Sequence, residues 1–161
     1  MAKTWTIEPE LLDVAWCRFP EKIGADGGAS VPGPKPRPSL VLEVNDKESP
    51  AMLHMAFGTS QKTDDLHAGE FQISKEDGDV FAESGCDDRT KFDLRRTVWL
   101  PYDANWFGKC PTSKSATPII GHIDINKSIE VRKRLSAASK VFHEEQKARK
   151  PAKPTAAPAK A

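Results

Sequence analysis

Short apolar segments, each ended by a turn-forming residue, constrain the fold of this 161-residue chain most strongly. Proline, glycine, asparagine or aspartate interrupts these segments roughly every ten to fifteen residues, which is typical of short strands joined by turns rather than of a helical bundle. We therefore predict a mostly β chain. Its strands are expected at Val14–Phe19, Leu40–Val44, Met52–Phe57, Glu70–Ile73, Val80–Ala82 and Arg96–Leu100.

One segment near the C-terminus has the spacing of an amphipathic helix. Ile129, Leu135, Ala138 and Phe142 recur at near-helical intervals, and basic residues occupy the other side. Asn126 is a suitable N-cap for this segment. We predict that the helix closes one side or end of a small barrel.

Two segments differ in composition from the rest of the chain. From Glu144 the sequence reads EEQKARKPAKPTAAPAKA, without a large apolar residue, so residues 144–161 are predicted to form a disordered basic tail. Residues 1–143 are predicted to form a single barrel domain. Within it, Pro20–Pro36 is rich in glycine and proline and is predicted to be a mobile loop.

The composition excludes several classes of protein. A net charge of +1 argues against binding a polyanion through bulk charge, so any nucleic-acid contact must use a local patch. No apolar run approaches the roughly 20 residues of a membrane span, and we expect a cytoplasmic protein without a membrane partner. The cysteines and histidines lack metal-ligand spacing, so neither a metal nor another cofactor is predicted.

The stretch PGPKPRPSLVLEV places Arg37 between Pro36 and Pro38, directly before an apolar strand. Each proline fixes a backbone dihedral and removes an N–H donor, so Arg37 stands on a stiff, extended segment. A pre-organised guanidinium loses little entropy on binding, and its planar donors match two phosphate oxygens. The alternative role is a surface ion pair with Glu43 or Asp46, worth about 0–1 kcal/mol.

A succession of motifs carries a family resemblance: DVAWCRFPE, KPRPSLVLEV, FGTSQKT, FDLRRTVWL and IIGHIDINKSIEVRKRL. Over residues 13–135 this order resembles the PemK/MazF family of toxin endoribonucleases. The resemblance implies an SH3-like β-barrel that dimerises, cuts single-stranded RNA without a metal through attack of the 2′-hydroxyl, and is neutralised by a cognate antitoxin protein. It places the family's catalytic residues on Arg37, Thr59 and Ser60.

Basic and aromatic residues elsewhere in the chain complete the predicted RNA site. The substrate-binding residues are predicted to be Lys35, Lys62, Arg95, Arg96 and Trp106. Trp106 lies in a loop-like stretch, where an exposed ring is suited to stacking on a base. The general acid and base stay open among Glu21, Asp26, His54 and His67.

Two other interpretations compete with a toxin of a type II toxin–antitoxin system. One keeps the SH3-like barrel without catalysis, as a module that binds nucleic acid or a partner protein. The other is a topoisomerase poison similar to the structurally related CcdB toxins. The KPRPSLV and GTSQ motifs favour the ribonuclease over the topoisomerase poison.

Overall fold

The computed structural model of the chain describes residues 3–149. In that range the strands are β1 (Asp13–Cys17), β2 (Arg37–Asn45), β3 (Met52–Thr59), β4 (Glu70–Ile73), β5 (Thr90–Pro101) and β6 (Ile119–His122), and the α-helices are α1 (Asp79–Ser84) and α2 (Ile129–Arg149). The strands form one antiparallel sheet, curled into a half-barrel, in the order β4-β5-β3-β2-β1-β6. The predicted mostly β architecture with a C-terminal helix is confirmed.

Each face of the sheet carries its own hydrophobic core, because side chains alternate along the strands. Leu40 and Ala56 belong to a core that includes Ala138 of α2, and we call this side the helix face. Val41 and Met55 belong to the second core, on the side that we call the loop face. The loop face is covered by irregular segments, including the aromatic residues Tyr102, Trp106 and Phe107.

Two irregularities in strand pairing bend the sheet. Between β3 and β5, Ala56 pairs with Thr97 but Phe57 pairs with Asp93, so residues 94–96 have no partner on β3. Between β2 and β3, the register also shifts at Leu42. Such bulges increase the local twist and redirect side chains, and they assist the curling of the sheet.

The segment Pro20–Pro36 is irregular, as predicted, but it is tied to the sheet. The Trp99 N–H donates to the carbonyl of Gly27 at 2.8 Å, and the Gly33 N–H donates to the carbonyl of Arg18 at 3.1 Å. Ile23 and Ala29 of this segment pack against the core of the loop face. The segment therefore covers apolar surface instead of extending away from the protein.

Some predicted elements differ from the structure. Val80–Ala82, predicted as a strand, lies inside α1, which Gly85 ends in the left-handed conformation at φ 78°. A short apolar run does not distinguish a strand from a buried helical turn, so this prediction was wrong. The predicted strand Arg96–Leu100 is only the second half of β5, and β6 was not predicted.

The C-terminal helix also differs at both of its ends. It begins at Ile129, and the Ser128 hydroxyl accepts the N–H of Val131 at 3.2 Å, so the prediction of Asn126 as the cap was wrong. Residues 144–149, predicted as part of the disordered tail, are helical. The rest of the predicted tail lies outside the described residues. Among the described helices, none combines the length and the apolar character that a membrane span requires.

Candidate functional site

Arg37 and Thr59 lie at adjacent ends of two neighbouring strands. Arg37 begins β2, and Thr59 ends β3, which is the next strand in the sheet. Between them the backbones approach closely, since a Cβ added to Gly58 would overlap the carbonyl oxygen of Pro38. Only glycine fits this position without displacing a strand, so the GTSQ motif and the PRPSLVLEV motif meet here in space.

The Arg37 side chain lies against an aromatic ring instead of a carboxylate. Arg37 pairs in register with Cys17, whose side chain is buried on the loop face. Its guanidinium carbon is 5.6 Å from the centroid of the Phe57 ring. Among the described residues, no carboxylate oxygen lies within ion-pair distance of Arg37, so the alternative pairing with Glu43 or Asp46 is not formed.

Arg96 approaches the same ring from the bulge of β5. Its guanidinium carbon is 4.2 Å from the Phe57 centroid and 5.7 Å from the Phe19 centroid. The two phenylalanine rings contact each other edge to face, at 5.3 Å. In the part of the chain that the structure describes, Arg96, like Arg37, has no ion-pair partner.

We call Arg37, Arg96, Phe19 and Phe57 the arginine–phenylalanine surface. Ring faces attract the two guanidinium groups but do not neutralise their charge. Their N–H donors therefore stay available to an external anion, and each planar fork matches two oxygens of a phosphate. This surface concentrates uncompensated positive charge in a chain whose net charge is only +1.

The two predicted catalytic hydroxyls lie in different environments. Thr59 is only 8% exposed, and its hydroxyl accepts the N–H of Gln61 at 3.0 Å, which leaves its own O–H free to donate. Ser60 is exposed and lines a small cleft on the helix face, together with Trp16 and Pro38. The structure therefore brings Thr59 close to Arg37 but directs Ser60 to the other side of the sheet.

The two predicted lysines lie close in sequence to Arg37 and Thr59, and they stay candidates for binding phosphate. Lys35 is exposed two positions before Arg37, and Lys62 is exposed in the turn that follows Thr59. Lys62 adopts a positive φ of 52°, which belongs to the tight turn after β3. Among the described residues, neither lysine has a carboxylate within ion-pair distance.

Arg95 and Trp106 occupy positions unlike those that the sequence predicted. Arg95 lies over Gly69 and pairs with Asp93 at 3.8 Å and with Glu145 of α2 at 3.6 Å, so it links the sheet to the helix. Trp106 is 6% exposed and belongs to the core of the loop face, so its ring is not available to stack on a base. The backbone turn at Asp103 directs Trp106 inward, a constraint that composition did not reveal.

The four candidates for the general acid and base do not converge on Arg37. Asp26 accepts the N–H of Gly28 at 3.0 Å and stabilises the loop, while Glu21 is exposed. His54 stacks on Trp99 and lines a cleft against α2, on the helix face. His67 is exposed and 3.6 Å from Asp65. In the described part of the chain, none of these side chains forms a hydrogen bond or ion pair with Arg37 or Arg96.

Phe19 and Phe57 are the functional candidates that the sequence analysis missed. Both are apolar residues of predicted strands, and this pattern normally indicates a core position. Their contact with two arginines depends on the bulge of β5 and on the end of β1, for which the sequence has no marker.

A scan against models of protein families finds no match to the chain, and a search of curated proteins finds none either. Among the described residues, no group of three or more histidine, cysteine, aspartate or glutamate side chains is arranged to hold a metal ion.

Proposed function

We propose that this chain is a toxin of the PemK/MazF type, a metal-independent endoribonuclease with an SH3-like barrel that cuts single-stranded RNA in the cytoplasm. The arginine–phenylalanine surface beside Thr59 carries this proposal. Arg37 and Arg96 present two guanidinium groups against one ring, without a carboxylate partner among the described residues. Four of the five motifs that resemble the family each contribute one residue to this surface: Phe19, Arg37, Phe57 and Arg96.

The proposed reaction begins when a ribose 2′-hydroxyl attacks the adjacent phosphorus. Negative charge then grows on the phosphorane oxygens, and the Arg37 guanidinium stabilises it through two parallel N–H donors. Arginine stays protonated at any useful pH, so Arg37 does not serve as the base. Arg96 holds a neighbouring phosphate, and the Thr59 hydroxyl donates one hydrogen bond to the reacting group.

We propose further that the active form is a homodimer and that a cognate antitoxin protein inhibits it. A segment of the antitoxin that covers Arg37 and Arg96 would need acidic side chains, because charge complementarity sets the register and the association rate of such complexes. Light scattering of the purified protein tests the dimer, with a mass of about twice the 17.7 kDa of one chain expected.

The test of catalysis uses labelled single-stranded RNA incubated with the purified protein in EDTA. Attack by the 2′-hydroxyl leaves a 2′,3′-cyclic phosphate and a 5′-hydroxyl end, which gel mobility and end-labelling detect. Arg37→Ala should lower the cleavage rate by about 10²–10³, and RNA binding should weaken far less. Arg37→Lys keeps the charge but loses the planar fork, so most of the rate should still be lost.

Arg89→Ala is the matched control, because Arg89 is exposed but pairs with Asp64 at 3.0 Å. We expect this variant to cleave at the rate of the unaltered protein. Equal cleavage by Arg37→Ala and by the unaltered protein would remove Arg37 from the mechanism.

The second candidate is a non-catalytic barrel module that binds single-stranded nucleic acid. The position of Ser60 on the helix face favours it, because one of the three predicted catalytic side chains is directed away from Arg37. The same RNA assay separates the two functions. RNA that binds in a manner dependent on Arg37 and Arg96, but is never cut, supports the module.

A further inference from the structure

A cleft lies between the C-terminal part of α2 and the helix face of the sheet, on the side opposite Arg37. Its volume is about 440 Å³, within the range of roughly 300–1,000 Å³ that is usual for small-molecule sites. The sheet wall includes His54 and Trp99, and the helix wall includes Ser139, Phe142 and His143.

Aromatic rings line both walls of this cleft. His54 and Trp99 stack with centroids 4.7 Å apart and ring planes 12° from parallel. Phe142 and His143 contribute rings from the helix, and Leu42 adds an apolar contact. His54 and Trp99 each cover one face of the other, so a planar heteroaromatic molecule in the cleft meets their outer faces and edges together with the rings of the helix wall. Such ring contacts do not depend on one particular pattern of hydrogen bonds.

The polar groups of the cleft set the charge of a suitable occupant. Apart from the histidines, Glu43 is the only ionisable residue in the lining. Burial lowers the pKa of His54, and the nearby Glu43 carboxylate offsets only part of this effect, so the His54 imidazole is neutral at pH 7. The lining therefore favours an amino group, which donates to the Glu43 carboxylate, and it offers a phosphate no lysine or arginine.

The polar side chains of the cleft also form no bonds with one another. In the described part of the chain, Glu43, His54 and Ser139 form no side-chain hydrogen bond or ion pair. Three uncommitted polar groups around stacked rings are the arrangement that orients a small ligand in an otherwise apolar site.

We propose that this cleft binds an amino-bearing nucleobase: adenine, cytosine or guanine. The base lies between the rings of the sheet wall and the helix wall, and its exocyclic amine donates to Glu43, with Ser139 as the second polar contact. The sugar and any phosphate stay outside. This proposal does not depend on the ribonuclease function, because the cleft and the arginine–phenylalanine surface lie on opposite faces of the sheet.

The probes are adenosine, cytidine and uridine, added to the full chain and followed by calorimetry. Adenosine and cytidine should bind at least about fivefold more tightly than uridine, which has no exocyclic amine. Adenosine monophosphate should bind no more tightly than adenosine. Short oligoadenylate and oligouridylate show whether the natural occupant is a base of an RNA strand or a free nucleoside. A site for a base within an RNA strand should prefer the oligomer to the nucleoside, and a site for a free nucleoside should not.

Two pairs of variants locate the site. Ser139→Phe fills the cleft and should abolish adenosine binding, whereas Ser136→Phe, at an exposed position of the same helix outside the cleft, should not. Glu43→Gln should weaken adenosine about tenfold or more, and the exposed Glu48→Gln should leave it unchanged. Thermal melting of each variant checks that the fold is kept.

Three results would overturn the proposal. They are the absence of nucleoside binding at millimolar concentration, equal binding by Ser139→Phe and Ser136→Phe, and loss of adenosine binding in Arg37→Ala. The last result would place the nucleoside on the loop face. Failure of RNA cleavage leaves these outcomes unchanged, so the two proposals fail separately.

Discussion

Lys91 and Glu70 form an ion pair that is almost fully removed from water. Their charged atoms are 3.2 Å apart, and each side chain is only 8% exposed. The Lys91 ammonium also donates to the carbonyl of Asp65 at 2.9 Å, and the Glu70 carboxylate accepts the N–H of His67 at 2.7 Å. The pair therefore ties the turn before β4 to both β4 and β5.

Lys91→Met removes the charge and keeps most of the side-chain volume. The Glu70 carboxylate then stays buried with a single backbone donor, and breaking a buried pair in this way costs about 3–5 kcal/mol of unfolding free energy. The remaining N–H of His67 places the expected loss near the lower end, at about 3 kcal/mol. For a chain of this size, the melting temperature should fall by roughly 10 °C.

Urea denaturation measures this loss, with Arg89→Met as the matched control. Arg89 pairs with Asp64 at 3.0 Å, but the two side chains are 44% and 93% exposed, so this variant should lose only about 0–1 kcal/mol. Adding Glu70→Leu to Lys91→Met should recover much of the stability, because no buried charge is left unpaired. A loss from Lys91→Met no larger than that from Arg89→Met would refute the reasoning.

Two further predictions concern packing and pH. Gly58→Ala should destabilise the fold by about 1–3 kcal/mol or more, because the added Cβ overlaps the carbonyl of Pro38. The control is Gly108→Ala, whose added Cβ has no atom within 4 Å. In the same urea assay, it should change the free energy of unfolding by less than about 0.5 kcal/mol. Burial acts to raise the pKa of Asp77, but the hydrogen bonds from Arg134, the N–H of Ser74 and the charge of Arg134 together outweigh it and hold the pKa below its usual 3.8. This stabilisation is present above pH 3.8 and is lost as the pH falls through the lower folded value. In thermal melts, Asp77→Asn should therefore be less stable than the unaltered protein at pH 7, and the difference should shrink as the pH falls below 3.8.

Local sequence patterns predicted strands where the apolar residues of the segment itself mark the strand. Glu70–Ile73 matches β4 at both ends, and the predicted strands at Leu40 and Met52 lie within β2 and β3. Prediction failed where a distant contact decides the structure. Val80–Ala82 lies in a helix whose Val80 and Phe81 pack into the core of the helix face. The last turns of α2 extend past Phe142 although their sequence lacks large apolar residues.

The same distinction applies to the candidate site. Arg37 was predicted from its two flanking prolines, and the structure places its guanidinium where no described carboxylate meets it. Thr59 ends β3 and Ser60 follows it directly, so the alternation of side chains along a strand directs the two hydroxyls to opposite faces, but the predicted strand ended at Phe57. Trp106 was predicted to be exposed because it lies in a loop-like stretch, but the fold packs that stretch against the core of the loop face.

The position of Arg96 depends on a change of alternation that the sequence conceals. Phe92, Leu94, Val98 and Leu100 all fall on one period-two alternation, with Arg96 at the position between the two apolar pairs. In the structure, Phe92 and Leu94 belong to the core of the helix face, whereas Val98 and Leu100 belong to the core of the loop face. A regular strand cannot make this exchange, but the bulge between the two halves of β5 does. The bulge lets residues of one alternation serve both cores. It also places Arg96 on the ring that Arg37 contacts from β2, so it contributes both to the curl of the sheet and to the pairing of the two guanidinium groups.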